Sequence, residues 1–214
     1  DQISVIRGKG ITLAIPYAPE DDEHPAAIVV YYIGEDGTLE VQKNSRYVSG
    51  QVVFEPGHLS VYAIMHHDLA FADLEAYEWA KESIIALAAR EVGQGYSDSS
   101  YRPDANVTRA EFLQMLMNAL DLQASDAASP FTDVNAADWY YDAVASAENY
   151  GIVTGRGDGT FGPDERISRQ DVAVMIFRSA KLLDLLRGGS ELPNFRDADQ
   201  IAGYAQAAVA NVQR

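Results

Sequence analysis

The chain has 214 residues, 47% of them hydrophobic, with a formal net charge of −16 and no cysteine. That length can bury one large core or two small ones, and the missing cysteine excludes disulfides, thiolate nucleophiles and Cys-based zinc sites. The acidic balance argues against nucleic acid or an anionic membrane as partner, since either needs a basic face, and no apolar run reaches the about 18 to 20 residues of a transmembrane segment.

An opening on Asp1 rather than Met reads as an excised or processed piece, whose missing leader says nothing of compartment. Residues 1–69 then set short apolar runs between turn residues, and 11–15, 28–33, 51–54 and 59–64 are predicted strands. Asp36-Gly37 is a hairpin signal, and Pro16, Pro19, Pro25 and Pro56 punctuate the rest. The expectation is a small all-β module. Its histidines are His24, His58, His66 and His67, of which only His66-His67-Asp68 cluster. Adjacent residues on a strand point to opposite faces, so the pair is a poor metal site. No Gly-x-Ser-x-Gly nucleophile turn occurs, and neither catalysis, metal nor cofactor is expected.

From Phe71 the apolar period becomes helical and the sequence repeats itself. Phe71-Ala-Asp73-Leu returns as Phe131-Thr-Asp133-Val at an offset of 60, Trp79 as Trp139 and Gly95 as Gly155. Asp98, Tyr101, Pro103-Asp104 and Thr108-Arg109 meet Asp158, Phe161, Pro163-Asp164 and Ser168-Arg169 in the same register. A third copy opens at Phe195-Arg-Asp197, with Tyr204 near the Trp position, and is incomplete by Arg214. Each full copy reads as helix, loop, helix: about 76–90 and 109–121, then 138–149 and 169–186. The apolar face of the first helix is Tyr77, Ala80, Ile84, Leu87 and Ala88, and that of the second Phe112, Met115, Leu116 and Leu120. Such helix pairs bury little alone, so stacking into one bundle is expected.

Thr108-Arg-Ala-Glu111 and Ser168-Arg-Gln-Asp171 are helix starts, with Glu111 completing a capping box and Asp171 a shorter, poorer reciprocal cap. Arg109 and Arg169 occupy the first helical position, where a cation opposes the dipole by about 0.3 to 1 kcal/mol. An arginine beside free N–H groups is a good carboxylate or phosphate receptor. The competing reading is a salt bridge to an acid of a neighbouring repeat. Trp79 and Trp139 read first as core and, alternatively, as flat faces for a sugar ring. Asp73 and Asp133 are expected to cap or brace the turn before the first helix. Asp158-Gly159 does not fit a calcium loop, because Thr154 and Arg156 would fall on its ligand positions. Gly155-Arg-Gly-Asp-Gly159 reads as turn chemistry.

At these residues the chain resembles the S-layer homology domain, whose repeats carry a Phe-x-Asp-Val opening, a Trp, a Gly-Tyr-x-Asp-Gly-x-Phe-x-Pro loop and an Ile-Thr-Arg-Ala-Glu helix start. The copies depart from that pattern differently. The first has Ser99 for a loop Gly and lacks the counterpart of Gly151; the second has Gln170-Asp171 for Ala-Glu and Arg156 for the tyrosine present as Tyr96. The resemblance implies an α+β chain: a β-rich spacer at 1–69, then an all-α, three-lobed bundle of repeats at 70–125 and 126–190 with a partial third at 191–214. It also implies a non-enzymatic extracellular anchor at a bacterial cell surface, cell wall or S-layer, binding pyruvylated secondary cell-wall polysaccharide in grooves between lobes. Arg109 and Arg169 would meet the pyruvyl acid, with Glu111, Asp171, Trp79, Trp139, Tyr96 and Asp158 as further ligand-binding candidates. The alternative is a structural or self-association module contacting neighbouring surface-layer subunits, without direct glycan binding.

Overall fold

The run IVVYYI at 28–33 lacks the polar alternation of a half-exposed strand, and the structure, a computed structural model that describes residues 10–124, 126–186 and 195–212, shows why. These residues form β2 (Ile28–Ile33), which is covered on both faces. Ile28 and Val30 pack with Val52 and Phe54 on one side, and Val29 and Tyr31 with Ile85 and Ala89 on the other. A strand buried twice has no face left for polar residues.

Among the described residues β2 belongs to one of two antiparallel sheets. One has the order β1 (Leu13–Pro16), β5 (Gln51–Phe54), β4 (Arg46–Val48); the other has β3 (Leu39–Gln42), β2, β6 (Tyr62–His66). Val30 lies opposite Gln42 on one side and Ile64 on the other. Asp36-Gly37 does form the β2–β3 hairpin: Gly37 has φ 85°, and Asp36 Oδ1 accepts the Thr38 N–H at 3.0 Å. The 3₁₀ turn Pro25–Ala27 leads into β2, and α1 (Glu78–Ala89) lies on that turn and on the outer face of β2. Just beyond α1, Arg90 donates to Ser45 O at 2.6 and 3.0 Å and to Ala26 O at 3.0 Å.

The chain divides after Asp104 into two units. The second holds α2 (Arg109–Leu120), α3 (Tyr141–Asn149), α4 (Arg169–Leu182), a 3₁₀ turn at Ala198–Gln200 and α5 (Gln206–Val212). Its main core joins Leu113 and Met117 of α2 to Ala143, Val144 and Ala147 of α3, with Ile152, Phe161 and Met175. A second cluster joins Ala173 and Val174 of α4 to Ala205 and Ala208.

The expected architecture is therefore corrected. Among the described residues the chain is α+β, with two small sheets at its start followed by five helices; the β-rich start agrees with expectation, and the three-lobed all-α bundle does not. The first helix of the first copy belongs to the unit of the sheets, because Ile85 and Ala89 complete a core with β2. The predicted helix faces shift as well. Ile84, Ile85, Ala88 and Ala89 are buried on α1 while Leu87 is exposed, and Leu113 and Met117 carry the α2 core where Met115 and Leu120 were expected. The partial third copy at 191–214 is described only over 195–212.

Candidate functional site

The two copies build the same loop from the same atoms. Asp133 accepts the N–H of Phe161 and of Gly162, both at 2.8 Å; Asp73 accepts those of Tyr101 at 2.9 Å and Arg102 at 2.7 Å. Each aspartate thus clamps the loop that follows its helix, rather than the turn that precedes it. Asp158 Oδ1 accepts from the Thr160 hydroxyl at 2.6 Å and N–H at 3.0 Å, and Asp98 Oδ1 does the same with Ser100 at 2.6 and 3.1 Å. The Ser100 hydroxyl, with Arg102 second, holds the Asp98 carboxyl down at about 2, and Thr160 lowers that of Asp158. A Cβ on Gly155, at φ 65°, would lie 2.7 Å from Thr160 O and against the Phe131 ring. Gly95 has the same setting against Phe71.

The helix starts differ more. Glu111 N–H donates to Thr108 Oγ1 at 3.2 Å and Thr108 N–H to Glu111 Oε2 at 2.8 Å, so the capping box is complete. At α4, Ser168 Oγ accepts from the Asp171 N–H at 3.2 Å and donates to Asp171 Oδ2 at 2.7 Å; the shorter carboxylate makes no reciprocal cap. Its Oδ1 accepts instead from Tyr204 Oη at 2.9 Å. Gln170 Oε1 accepts the Ala202 N–H at 3.0 Å. Both departures from the repeat pattern therefore hold the segment entering α5.

Arg109 is only 7% exposed. Its Nε donates to Phe161 O at 3.0 Å, its guanidinium carbon lies 4.9 Å from the Phe161 ring centroid, and Nη1 is 3.7 Å from Asp171 Oδ2. Burial pushes this guanidinium below its ordinary range, and Asp171 acts against that. The N–H groups of Arg109 and Ala110 go to Glu165 O and Pro163 O at 2.9 and 3.0 Å, so the start of α2 has no free donor pair for an anion. Arg169 is the opposite case: it is exposed, and among the described residues its side chain has no hydrogen bond or ion pair and no backbone carbonyl takes its N–H.

The aromatic candidates lie outside the core. Trp79 is 84% and Trp139 63% exposed, the latter edge-on to Tyr140 at 5.1 Å. Tyr96 lies under the Arg102 guanidinium at 4.0 Å. Sequence reasoning missed Phe161 O as the acceptor of Arg109, because a backbone carbonyl leaves no mark in residue identity; Tyr204 as partner of Asp171 could have been suspected only from the missing Glu.

A duplicated loop clamp followed by a hydroxyl-capped, arginine-bearing helix start defines a class of repeat module. The family model of the S-layer homology domain matches residues 70–113 and 130–173, and these segments are S-layer homology repeats. The chain is 32% identical over 167 residues to an amylopullulanase of Thermoanaerobacterium thermosulfurigenes, covering 78% of this chain and 9% of that protein. It is 36% identical over 140 residues to an endoglucanase of Bacillus sp. (strain KSM-635), covering 65% and 15%. It is 32% identical over 137 residues to the surface-layer 125 kDa protein of Lysinibacillus sphaericus, covering 62% and 11%. The chain thus spans a small fraction of these relatives. Repeats of this family mark a protein of the bacterial cell surface, and among the described residues no helix is long and apolar enough to cross a membrane.

Proposed function

We propose that the chain attaches a surface protein to the cell wall without covalent chemistry, by binding an acidic, pyruvylated wall polysaccharide, while any catalytic activity of the whole protein lies outside these repeats. The observation that carries the reading is Arg169: an exposed guanidinium at the first position of α4, beside backbone donors that no carbonyl of the described residues takes. A guanidinium fork next to a helix N-terminus matches a carboxylate in charge and shape. Trp139 supplies an exposed flat face for a sugar ring. Arg109 acts inside the helical unit, through Phe161 O and Asp171, so the two arginines that the repeat pairs divide into a structural and a ligand-facing one. Glu111 and Asp158 serve cap and loop. Residues 1–69 act as a spacer ahead of repeats at 70–125 and 126–190.

The relatives' names support the reading, since an amylopullulanase, an endoglucanase and a surface-layer protein share this segment as a minor part of their length. The test is co-sedimentation with purified wall sacculi. The chain is expected to pellet with native sacculi and to stay in solution once the pyruvyl groups are removed; equal pelleting in both cases would exclude recognition of the acid.

A further inference from the structure

Three of the four histidines gather where the 3₁₀ turn Pro25–Ala27 meets β6 and the end of α1, and each uses a ring nitrogen there. His24 Nδ1 accepts the N–H of Ala26 at 3.2 Å, and His66 Nε2 accepts the N–H of His24 at 3.0 Å. A backbone N–H can only donate, so both ring nitrogens must be unprotonated. His67 differs: its Nε2 is 2.9 Å from Tyr31 Oη, which is 3.5 Å from Glu91 Oε1. A hydroxyl can reverse, so a protonated His67 donates to Tyr31 while Tyr31 donates to Glu91. The Tyr62 hydroxyl serves His58 in a similar way, donating to His58 O at 2.7 Å while its oxygen lies 3.1 Å from His58 Nδ1.

The turn held by the first two histidines is the seat of α1. Ala27 packs with Ile85 and Ala89, Arg90 donates to Ala26 O, and the His67 N–H donates to Ala27 O at 3.1 Å. Glu91 adds an independent sign that this joint is built. It holds a left-handed φ of 58° where the second copy has Gly151 at 71°. A non-glycine side chain is rarely held in that conformation, and here its carboxylate reaches the Tyr31–His67 pair.

We propose that His24 and His66 form an acid-released latch that fastens α1 to the sheet of β2. Protonating either nitrogen sets N–H against N–H, frees a backbone donor and loosens the turn that Arg90 and α1 rest on. The charged groups around the latch are Glu20 and Glu23 on the loop before it, His67 and Asp68 after His66, and Arg90 and Glu91 at the end of α1. Burial lowers the pKa of His67, with Glu91 raising it and His66 lowering it. Its contribution to stability is therefore full above about 6.5, the ordinary histidine value, and is lost as pH falls through its lowered folded value, in the direction of the latch. The attachment proposed above is independent of this joint.

The experiment is amide hydrogen exchange of α1 on the whole chain at pH 7.5 and pH 5.5, corrected for intrinsic rates, where carboxylates are still ionised. The wild type is expected to lose at least about tenfold of its α1 protection. His24→Asn with His66→Gln keeps an oxygen acceptor at each place and should abolish that loss, while His58→Gln should leave it intact. An equal loss in the double variant, or no loss in the wild type, overturns the latch. Should the double variant fold poorly at pH 7.5, wild-type imidazole nitrogen NMR decides: the midpoint of α1 loosening must coincide with the titration of His24 and His66, and a mismatch refutes it.

Discussion

At the residue scale, the register of 60 reaches down to single dihedral angles. Gly151, Gly159 and Gly162 of the second copy, at φ 71°, 88° and 74°, correspond in register to Glu91, Ser99 and Arg102 of the first, at 58°, 61° and 58°. The loop conformation outlasts the glycines that make it easy. Ser99→Gly should accordingly raise stability by about 0.5 to 1 kcal/mol, read as a higher Tm, whereas Gly155→Ala should cost more than about 1 kcal/mol because its Cβ meets Thr160 O and the Phe131 ring. The loop aspartates add an acid dependence of their own. Asp98, Asp158 and Asp73 all have lowered pKa values. Their stabilisation is present above the unfolded value near 3.8 and is lost as pH falls toward about 2, the folded value of Asp98. Chemical denaturation at pH 5 and pH 2.5 should show it, with Asp98→Asn flattening the difference. The sequence placed Asp73 and Asp133 correctly as bracing groups but not their targets, which lie 28 and 29 residues along the chain.

At the element scale, legibility followed local chemistry. The α2 and α4 starts were readable because Thr108 and Ser168 cap through their own side chains, and β2 was readable because an unbroken β-branched and aromatic run has few alternatives. The short strands β3 and β4 were missed: LEVQ and RYV carry little apolar pattern and owe their form to pairing with β2 and β5. The helix faces were misjudged for another reason. In FLQMLM and SIIALAA apolar residues point almost all round, so only tertiary packing chooses the buried side. For α1 that choice is β2, and Ile85→Ala should destabilise the sheet unit by about 2 to 5 kcal/mol, with the loss visible in denaturant unfolding of that unit. A loss no larger than that of the exposed Leu87→Ala would mean that α1 is not seated there.

For the whole molecule, the repeats place the chain at the cell surface, and their duplication does not make their arginines equivalent. The capping motif shows where Arg109 and Arg169 start their helices but not which of them is covered, since burial of Arg109 depends on Phe161 and Asp171 of the next repeat. Arg109→Ala should lower Tm through about 1 to 3 kcal/mol of lost buried hydrogen bonding. Binding titration with purified pyruvylated wall polysaccharide, run beside thermal unfolding, separates the two roles most directly. Arg169→Ala should weaken binding about tenfold or more, as loss of a charge-assisted contact of at least about 1.5 kcal/mol requires, with Tm unchanged. Wild-type affinity in Arg169→Ala would contradict acid recognition at the start of α4.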